Sequence, residues 1–284
     1  MRIDLHLHST ASDGTQPPAE VIAAAAAAGL DVVALTDHDT VAGWAEAAVA
    51  ARVHDVVLVR GVELSCQWRG IGVHLLSYLH DPDDGALAAE MARTRDDRVG
   101  RAQRMVELIS VDYPLTWEDV LGATPEDATV GRPHIADALI ARGHMASRDE
   151  AFGAVLRTGS PYYVRHYAPD PIAAVRLVRA AGGVPVMAHP RAARRGRVVP
   201  DEVIAAMAEV GLAGLEVDHR DHLPTEREAL RSLAADLGVF VTGSSDYHGA
   251  GKVNRIGENL TAPTVLEALE AAVTATPVLH PTPR

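Results

Sequence analysis

Two histidines near the N-terminus, His6 and His8, have the spacing of a metal-binding pair. Residues 2–8 alternate polar and apolar side chains as a β-strand does, and residues two apart in a strand share a face. Both imidazoles therefore lie on one side of the strand. Imidazole is the commonest neutral metal ligand in proteins. Because an isolated His-x-His pair also fits a polar strand end, the rest of the chain must decide between the two interpretations.

Seven more side chains of metal-ligating type lie in the chain, nearly all at or beside the ends of strand-like segments. They are Asp13, His38, Glu63, His74, His189, Asp246 and His248. With His6 and His8 they make nine nitrogen and oxygen ligands. Nine ligands with bridging water suit three ions of coordination number four or five. Folding alone does not explain so many such residues at strand ends, so the pattern predicts a metal centre.

A hairpin is predicted to bring Glu63 and His74 together. The strand-like runs 56–65 and 71–79 are separated by a short segment that includes Trp68, Arg69 and Gly70 and is too short for a helix. The second run should therefore return antiparallel to the first. That register places Glu63 and His74 opposite or diagonally adjacent, within reach of one ion or a bridged pair.

The elements that carry these residues alternate between strand and helix. Further strands are predicted at 31–36, 184–188, 215–217 and 239–242, which with the first strand and the hairpin makes seven. Helices are predicted at 18–28, 41–53, 171–181, 200–210, 225–237 and 264–273. This alternation is typical of an α/β fold with a parallel sheet or barrel, in which loops after the strands carry the chemistry.

Residues 83–165 interrupt the alternation with helical patterns only, at 85–110, 116–121, 133–142 and 148–157. We predict a helical insert, 83–165, that covers the active site of a barrel formed by residues 1–82 and 166–284. Arg98 and Arg101 lie one helical turn apart and could hold a phosphate, although an arginine-bearing helix is more often a solvated face. Arg132 and His134 begin a helix, where backbone amides favour anions.

Three other sets of residues are open to two interpretations. Asp37 and Asp39 flank His38, and they either contact substrate or orient that ligand, or merely cap the strand end. Four arginines after His189 form a solvated loop or attract an anionic substrate: Arg191, Arg194, Arg195 and Arg197. The remaining histidines have polar or turn-like surroundings and are predicted to be ordinary surface residues: His54, His80, His144, His166, His219, His222 and His280.

Bulk composition excludes several classes of protein. A net charge of -12 argues against a surface that coats nucleic acid or membrane. The 48% hydrophobic content allows a large core, and the single cysteine, Cys66, excludes an internal disulfide framework. No signal peptide or membrane span is evident, so a cytoplasmic location is expected.

The motifs together resemble the polymerase and histidinol phosphatase (PHP) family over essentially the whole chain. They are residues 4–8 (DLHLH), 36–39 (TDHD), 61–63 (GVE), His74, 188–190 (AHP) and 246–248 (DYH). The resemblance implies a distorted seven-stranded (β/α)7 barrel with a trinuclear centre of Mn, Fe or Zn. It implies one ion on His6, His8, Glu63 and Asp246, a second on Glu63, His74 and His189, and a third on Asp13, His38 and His248.

Within that family, the insert and residues 131–134 (GRPH) resemble the stand-alone phosphatases that act on nucleotides. The resemblance implies hydrolysis of 3',5'-nucleoside bisphosphates, AMP or short 5'-phosphorylated RNA by a hydroxide bridging the ions, without a side-chain nucleophile. Arg132 and His134, with Arg98 and Arg101, would hold the phosphate. A histidinol-phosphate phosphatase is the near alternative. An amidohydrolase is another, although those enzymes usually add a bridging lysine and Lys252 is the only lysine here. The last alternative is a regulatory module that binds metal without catalysing a reaction.

Overall fold

A computed structural model describes residues 1–125, 128–165 and 167–281. Its described part contains one seven-stranded sheet with the strands in sequence order. The strands are β1 (Ile3–Leu7), β2 (Val32–Leu35), β3 (Val57–Trp68), β4 (Ile71–Tyr78), β5 (Val184–Met187), β6 (Gly214–Asp218) and β7 (Phe240–Gly243). The helices are α1 (Pro18–Ala27), α2 (Trp44–His54), α3 (Gly85–Ile109), α4 (Trp117–Gly122), α5 (Arg132–Ala141), α6 (Arg148–Ala151), α7 (Pro171–Ala180), α8 (Asp201–Glu209), α9 (Pro224–Leu237) and α10 (Pro263–Ala272).

The sheet curves into a nearly closed barrel. Just beyond β1, the His8 amide donates to the Tyr247 carbonyl at 2.8 Å, so the segment after β7 returns to the first strand. Neighbouring strands are parallel except where β4 pairs antiparallel with β3 and β5. The predicted α/β barrel of seven strands is therefore confirmed, and the antiparallel β4 is what distorts it.

The hairpin register decides how Glu63 and His74 meet. Ser65 pairs with His74 and Glu63 with Leu76, so Glu63 and His74 are diagonal neighbours. The turn residues Arg69 and Gly70 both have positive φ, 46° and 79°, which matches the right-handed twist of a tight hairpin. The pairing continues to the turn, which is why β3 extends past residue 65 to Trp68.

Apolar residues cover both faces of the strands. One cluster joins Ile3 and Leu5 of β1 to Val32, Val186 and α10, and another packs α1 and α2 against β2. The helices α3 to α6 have a separate core that includes Met105, Ile135 and Leu139. The helix predicted at 148–157 is α-helical only to Ala151 and continues as a π-helix over Phe152–Leu156.

No helix within the described ranges is both long and apolar enough to cross a membrane.

Candidate metal centre

All nine predicted metal ligands meet at one end of the barrel. Strands β1, β3 and β4 carry His6, Glu63 and His74 directly, and the segments after β1, β2, β5 and β7 carry the others. His6, His8 and His248 are fully buried, whereas about a third of the His74 side chain is exposed. Residues scattered over more than 240 positions of sequence thus share one site because the C-terminal ends of the parallel strands meet at one rim, to which the antiparallel β4 contributes His74 from its N-terminal half.

The Glu63 carboxylate lies at the centre, and its two oxygens face different histidines. Oε1 lies 2.7 Å from His74 Nδ1 and 3.1 Å from His189 Nε2. Oε2 lies 3.2 Å from His6 Nε2 and 3.1 Å from His8 Nε2. A carboxylate arranged in this way can ligate one cation with each oxygen.

A second carboxylate, that of Asp13, lies near His8, His38 and His248. Asp13 Oδ1 lies 3.2 Å from His248 Nε2 and 3.7 Å from His8 Nδ1. Asp13 Oδ2 lies 3.9 Å from His38 Nε2.

Three groups of these ligand atoms are close enough to hold a metal ion. They are His6, His8, Glu63 and Asp246; His8, Asp13, His38 and His248; and His38, Glu63 and His74. The first is the set that the resemblance implies, and the second is the implied set with His8 added. In the third, His38 stands where the resemblance implies His189, whose Nε2 nevertheless lies 3.1 Å from Glu63.

The polar atoms that lack partners fit cations at this position. Asp246 Oδ1, His38 Nδ1 and His248 Nε2 are buried without a hydrogen bond in the described structure. His248 Nδ1 lies 2.9 Å from the Asp246 carbonyl oxygen, so it must donate, and Nε2 then carries a lone pair facing Asp13. Lone pairs and carboxylates that converge in a buried space need a positive charge between them. The donor set of imidazole and carboxylate suits Zn, Fe or Mn.

The electrostatics of the site are strongly coupled. Burial alone would raise the pKa of Glu63, but His74, His38 and His6 hold it well below its usual value. Burial alone would lower the pKa of His8, but Asp246 and Glu63 raise it to about 9. His8 therefore retains a proton at neutral pH when no metal is bound.

Metal binding should consequently depend on pH. A cation can bind His8 Nε2 only after the proton leaves, so affinity for Mn²⁺ should rise as pH increases toward 9. For each proton displaced, the dissociation constant should fall about tenfold per pH unit below the pKa. Calorimetric titration in two buffers of different ionisation enthalpy measures the protons released at pH 7. Affinity that stays constant from pH 6 to pH 8 would contradict the protonated state of His8.

The backbone is strained at the ligand-bearing strand ends. His189 and Asp246 have φ of 29° and 53°, and Asp39 beside His38 has φ of 53°. Non-glycine residues adopt such angles only where surrounding contacts fix them, and they cluster at functional sites.

Three guanidinium groups from the helices α3 and α5 lie near one another, and we call Arg98, Arg101 and Arg132 the arginine group. Arg98 donates to Asp39, which follows His38 in sequence, and to Ser65, which pairs with His74 in the hairpin. Arg101 Nε donates to the Val164 carbonyl at 2.8 Å, and its Nη2 is buried without a partner.

Unlike Arg98, the other two arginines of the group, Arg101 and Arg132, lack a carboxylate partner among the described residues. Arg132 donates to the Leu156 carbonyl at 3.0 Å and lies over the Phe152 ring. Burial and the repulsion from Arg132 lower the pKa of Arg101 to about 9. Buried positive charges without counter-charges can accommodate an anionic ligand.

His134 lies beside this group with one nitrogen free. Its Nδ1 accepts from the Gly131 amide at 3.0 Å, so the neutral ring carries its proton on Nε2. Burial lowers the pKa of His134, which favours this neutral form.

The other predicted substrate residues have protein partners instead. Asp37 accepts from the Ser9 amide and from the hydroxyls of Ser9 and Ser12. Asp39 accepts from the Ser65 amide as well as Arg98. Both carboxylates thus organise the loops around His38. Arg191 turns away from the ligands toward the Val199 carbonyl and Asp201, so the structure does not bring it to the cluster.

Arg195, from the same loop, does reach the cluster. It donates to Asp246 Oδ2 at 2.6 Å and to Asp221 at 2.7 Å. Lys252 contacts the same Asp246 oxygen at 3.0 Å.

Three histidines predicted to be surface residues are buried: His80, His219 and His222. His54 and His280 are exposed, His144 is half-buried, and His166 lies outside the described residues. His219 lies 3.6 Å from Asp246, and its Nδ1 accepts from the Asp221 amide. Sequence reasoning also missed Glu216, which bonds His6 at 2.9 Å. A lone charged residue between Leu215 and Val217 in a buried strand was the available signal.

Comparison with known proteins agrees with the sequence resemblance. Residues 4–131 match the PHP domain family. The 3',5'-nucleoside bisphosphate phosphatase of Chromobacterium violaceum is 34% identical over 260 residues, which cover 89% of each chain. A 5'-3' exoribonuclease of Haemophilus influenzae is 31% identical over 91% of this chain and 94% of its own. A crystal structure from Bifidobacterium adolescentis, described as a candidate metal-dependent phosphoesterase, is 40% identical, covers 96% of each chain and superposes with a TM-score of 0.93.

These relatives span nearly the whole chain and share its fold and its phosphoester chemistry. The chain belongs to the PHP family and is a metal-dependent phosphoesterase.

Proposed function

We propose that the protein hydrolyses phosphate monoesters of nucleotides and prefers nucleosides that carry two phosphates, such as a 3',5'-nucleoside bisphosphate. The observation that carries this proposal is the arginine group, whose member Arg98 donates to Asp39 and Ser65 beside the nine-residue metal cluster. One phosphate would be hydrolysed at the cluster while the arginine group and His134 hold the other. The identity of the Chromobacterium violaceum relative supports the same substrate class.

In this proposal the nine residues hold three divalent ions, of Mn, Fe or Zn. When bound, such ions lower the pKa of a water molecule and stabilise the charge that develops on phosphate oxygens. Glu63 would ligate two ions, one with each oxygen. His134 would donate a hydrogen bond through Nε2, and Arg98 would remain oriented by Asp39.

We further propose that residues 83–165 are an insert that covers the site. Arg98 of α3 reaches Asp39, and Arg148 of α6 lies 3.3 Å from the Asp13 carbonyl. These contacts tie the separately packed helices to the loops that carry His38 and Asp13. The insert would exclude water and select substrates by their second phosphate.

Phosphate release across a substrate panel tests the function. With Mn²⁺-loaded protein, adenosine 3',5'-bisphosphate should exceed AMP in kcat/KM by about tenfold or more, because a hydrogen bond to a charged group contributes about 1.5–3 kcal/mol. Chelation should abolish the activity, and Mn²⁺ should restore it. Faster release from histidinol phosphate would favour that alternative. Turnover of an amide panel would favour an amidohydrolase, and no turnover would favour a regulatory module.

Short 5'-phosphorylated RNA is a second candidate substrate, favoured by the Haemophilus influenzae relative. The same panel should include a short RNA oligonucleotide, with mononucleotide products as the readout. Release of mononucleotides faster than phosphate release from the bisphosphate would make the RNA the preferred substrate.

A further inference from the structure

Glu216 is a charged residue in the interior of the barrel wall. It lies in the middle of β6, is fully buried, and has Leu215 and Val217 in the apolar core on either side of it in sequence. A buried carboxylate is costly unless each oxygen has a donor. Neither a helix cap nor a sheet hydrogen bond requires a carboxylate here, so the contacts of its side chain must account for it.

Both oxygens of Glu216 contact segments that carry proposed metal ligands. Oε1 lies 2.9 Å from His6 Nδ1, and Oε2 accepts from the His189 backbone amide at 2.8 Å. An ionised carboxylate only accepts hydrogen bonds, so His6 must donate through Nδ1.

The first contact fixes which nitrogen of His6 can ligate a cation. With the proton on Nδ1, His6 Nε2 presents a lone pair 3.2 Å from Glu63 Oε2 and 3.6 Å from Asp246 Oδ1. This is the face on which His6, His8, Glu63 and Asp246 form a possible metal site.

The second contact holds the strained backbone at His189. That residue has φ of 29°, and its side-chain Nε2 lies 3.1 Å from Glu63 Oε1. The hydrogen bond from the His189 backbone amide to Glu216 stabilises this geometry, and this geometry directs the imidazole toward Glu63. Within the described residues, no hydrogen bond joins Glu216 to Asp13, His38 or His248.

We propose that Glu216 is a positioning residue that sets the affinity for the ions held through His6 and His189, and leaves the site of Asp13, His38 and His248 unaffected. The inference rests on the ligand sets of the proposed function. The proposed effect is confined to two of the three metal sites, whereas a general effect on folding would change all three.

Glu216→Gln tests the inference because a glutamine has one acceptor oxygen where two are needed. Whichever donor the amide oxygen accepts from, the amide nitrogen faces the other, so His6 loses its ligating tautomer or His189 loses its anchor. Titration with Mn²⁺, following free Mn²⁺ by electron paramagnetic resonance, should show at least one of the ions held through His6 and His189 bound about 10- to 100-fold more weakly, and the ion held by Asp13, His38 and His248 unchanged. The unchanged ion should be lost in Glu216→Gln/His248→Ala. Glu226→Gln is the matched control, because Glu226 is half-buried and accepts a backbone N–H in the loop before α9; it should bind metal as the natural protein does.

Glu216→Asp provides a second variant if Glu216→Gln does not fold. Its carboxylate is too short to reach both donors, so at least one of the same two ions should bind more weakly. A folded variant that binds every ion as tightly as the natural protein does would overturn the inference. So would a variant that binds every ion more weakly by the same factor. Phosphate release is not part of this readout, so a protein that shows this pattern without hydrolysing nucleotides would reject only the proposed substrate.

Discussion

Glu63→Gln should reduce kcat for phosphoester hydrolysis by about 10³-fold or more. The two oxygens of Glu63 face different histidines: Oε1 lies 2.7 and 3.1 Å from the ring nitrogens of His74 and His189, and Oε2 lies 3.1 to 3.2 Å from those of His6, His8 and His38. Glutamine keeps the size of the side chain but offers a single acceptor and no charge. Stabilisation of developing charge by a metal is worth several kcal/mol, and about 4 kcal/mol corresponds to about 10³-fold in rate.

The measurement pairs single-turnover phosphate release with metal content by elemental analysis. Glu63→Gln should lose bound metal as well as activity, since both groups of histidines around Glu63 lose a shared ligand. Glu270→Gln is the matched control, because Glu270 contacts His280 at 2.8 Å on the exposed C-terminal side of α10. A Glu63→Gln protein with full metal content and undiminished turnover would refute the bridging position of Glu63.

The strands and the ligands at their ends were predictable from local patterns. Alternation within residues 2–8 places His6 and His8 on one face, and a gap too short for a helix forces the hairpin that brings Glu63 near His74. Both inferences depend only on short-range backbone geometry. They led to the correct fold because parallel strands share a functional edge whatever their separation in sequence.

The residues that support the ligands were not predictable in the same way. His219 and His222 follow β6 in a polar segment of sequence, yet both are buried because neighbouring loops cover them. Arg191 and Arg195 belong to one arginine-rich stretch, but a short 3-10 turn, Ala193–Arg195, directs only Arg195 to Asp246. Which side of a loop a residue occupies depends on tertiary packing, which composition and periodicity do not record.

Arg132→Ala should lower kcat/KM for a nucleoside bisphosphate by about 10²-fold while leaving metal content intact. Arg132 contacts no proposed ligand, and it is oriented by the Leu156 carbonyl and the Phe152 ring near two other guanidiniums. Removing one partner of a buried hydrogen-bonded charge pair costs about 2–5 kcal/mol, and about 2.7 kcal/mol, in the lower half of that range, corresponds to about 10²-fold. The loss should be smaller for AMP, which lacks the second phosphate.

Arg132→Lys separates charge from geometry at this position. Lysine keeps the positive charge but lacks the planar fork that pairs with two phosphate oxygens, so it should restore only part of the lost activity. Arg142→Ala is the matched control, since Arg142 follows the other end of α5 and its side chain is about half exposed, 3.8 Å from Asp119. If Arg132→Ala left the ratio of kcat/KM for the bisphosphate to kcat/KM for the monophosphate unchanged, the arginine group would not bind the second phosphate. Selection would then have to come from the cluster side of the site, where Arg195 and Lys252 already contact Asp246.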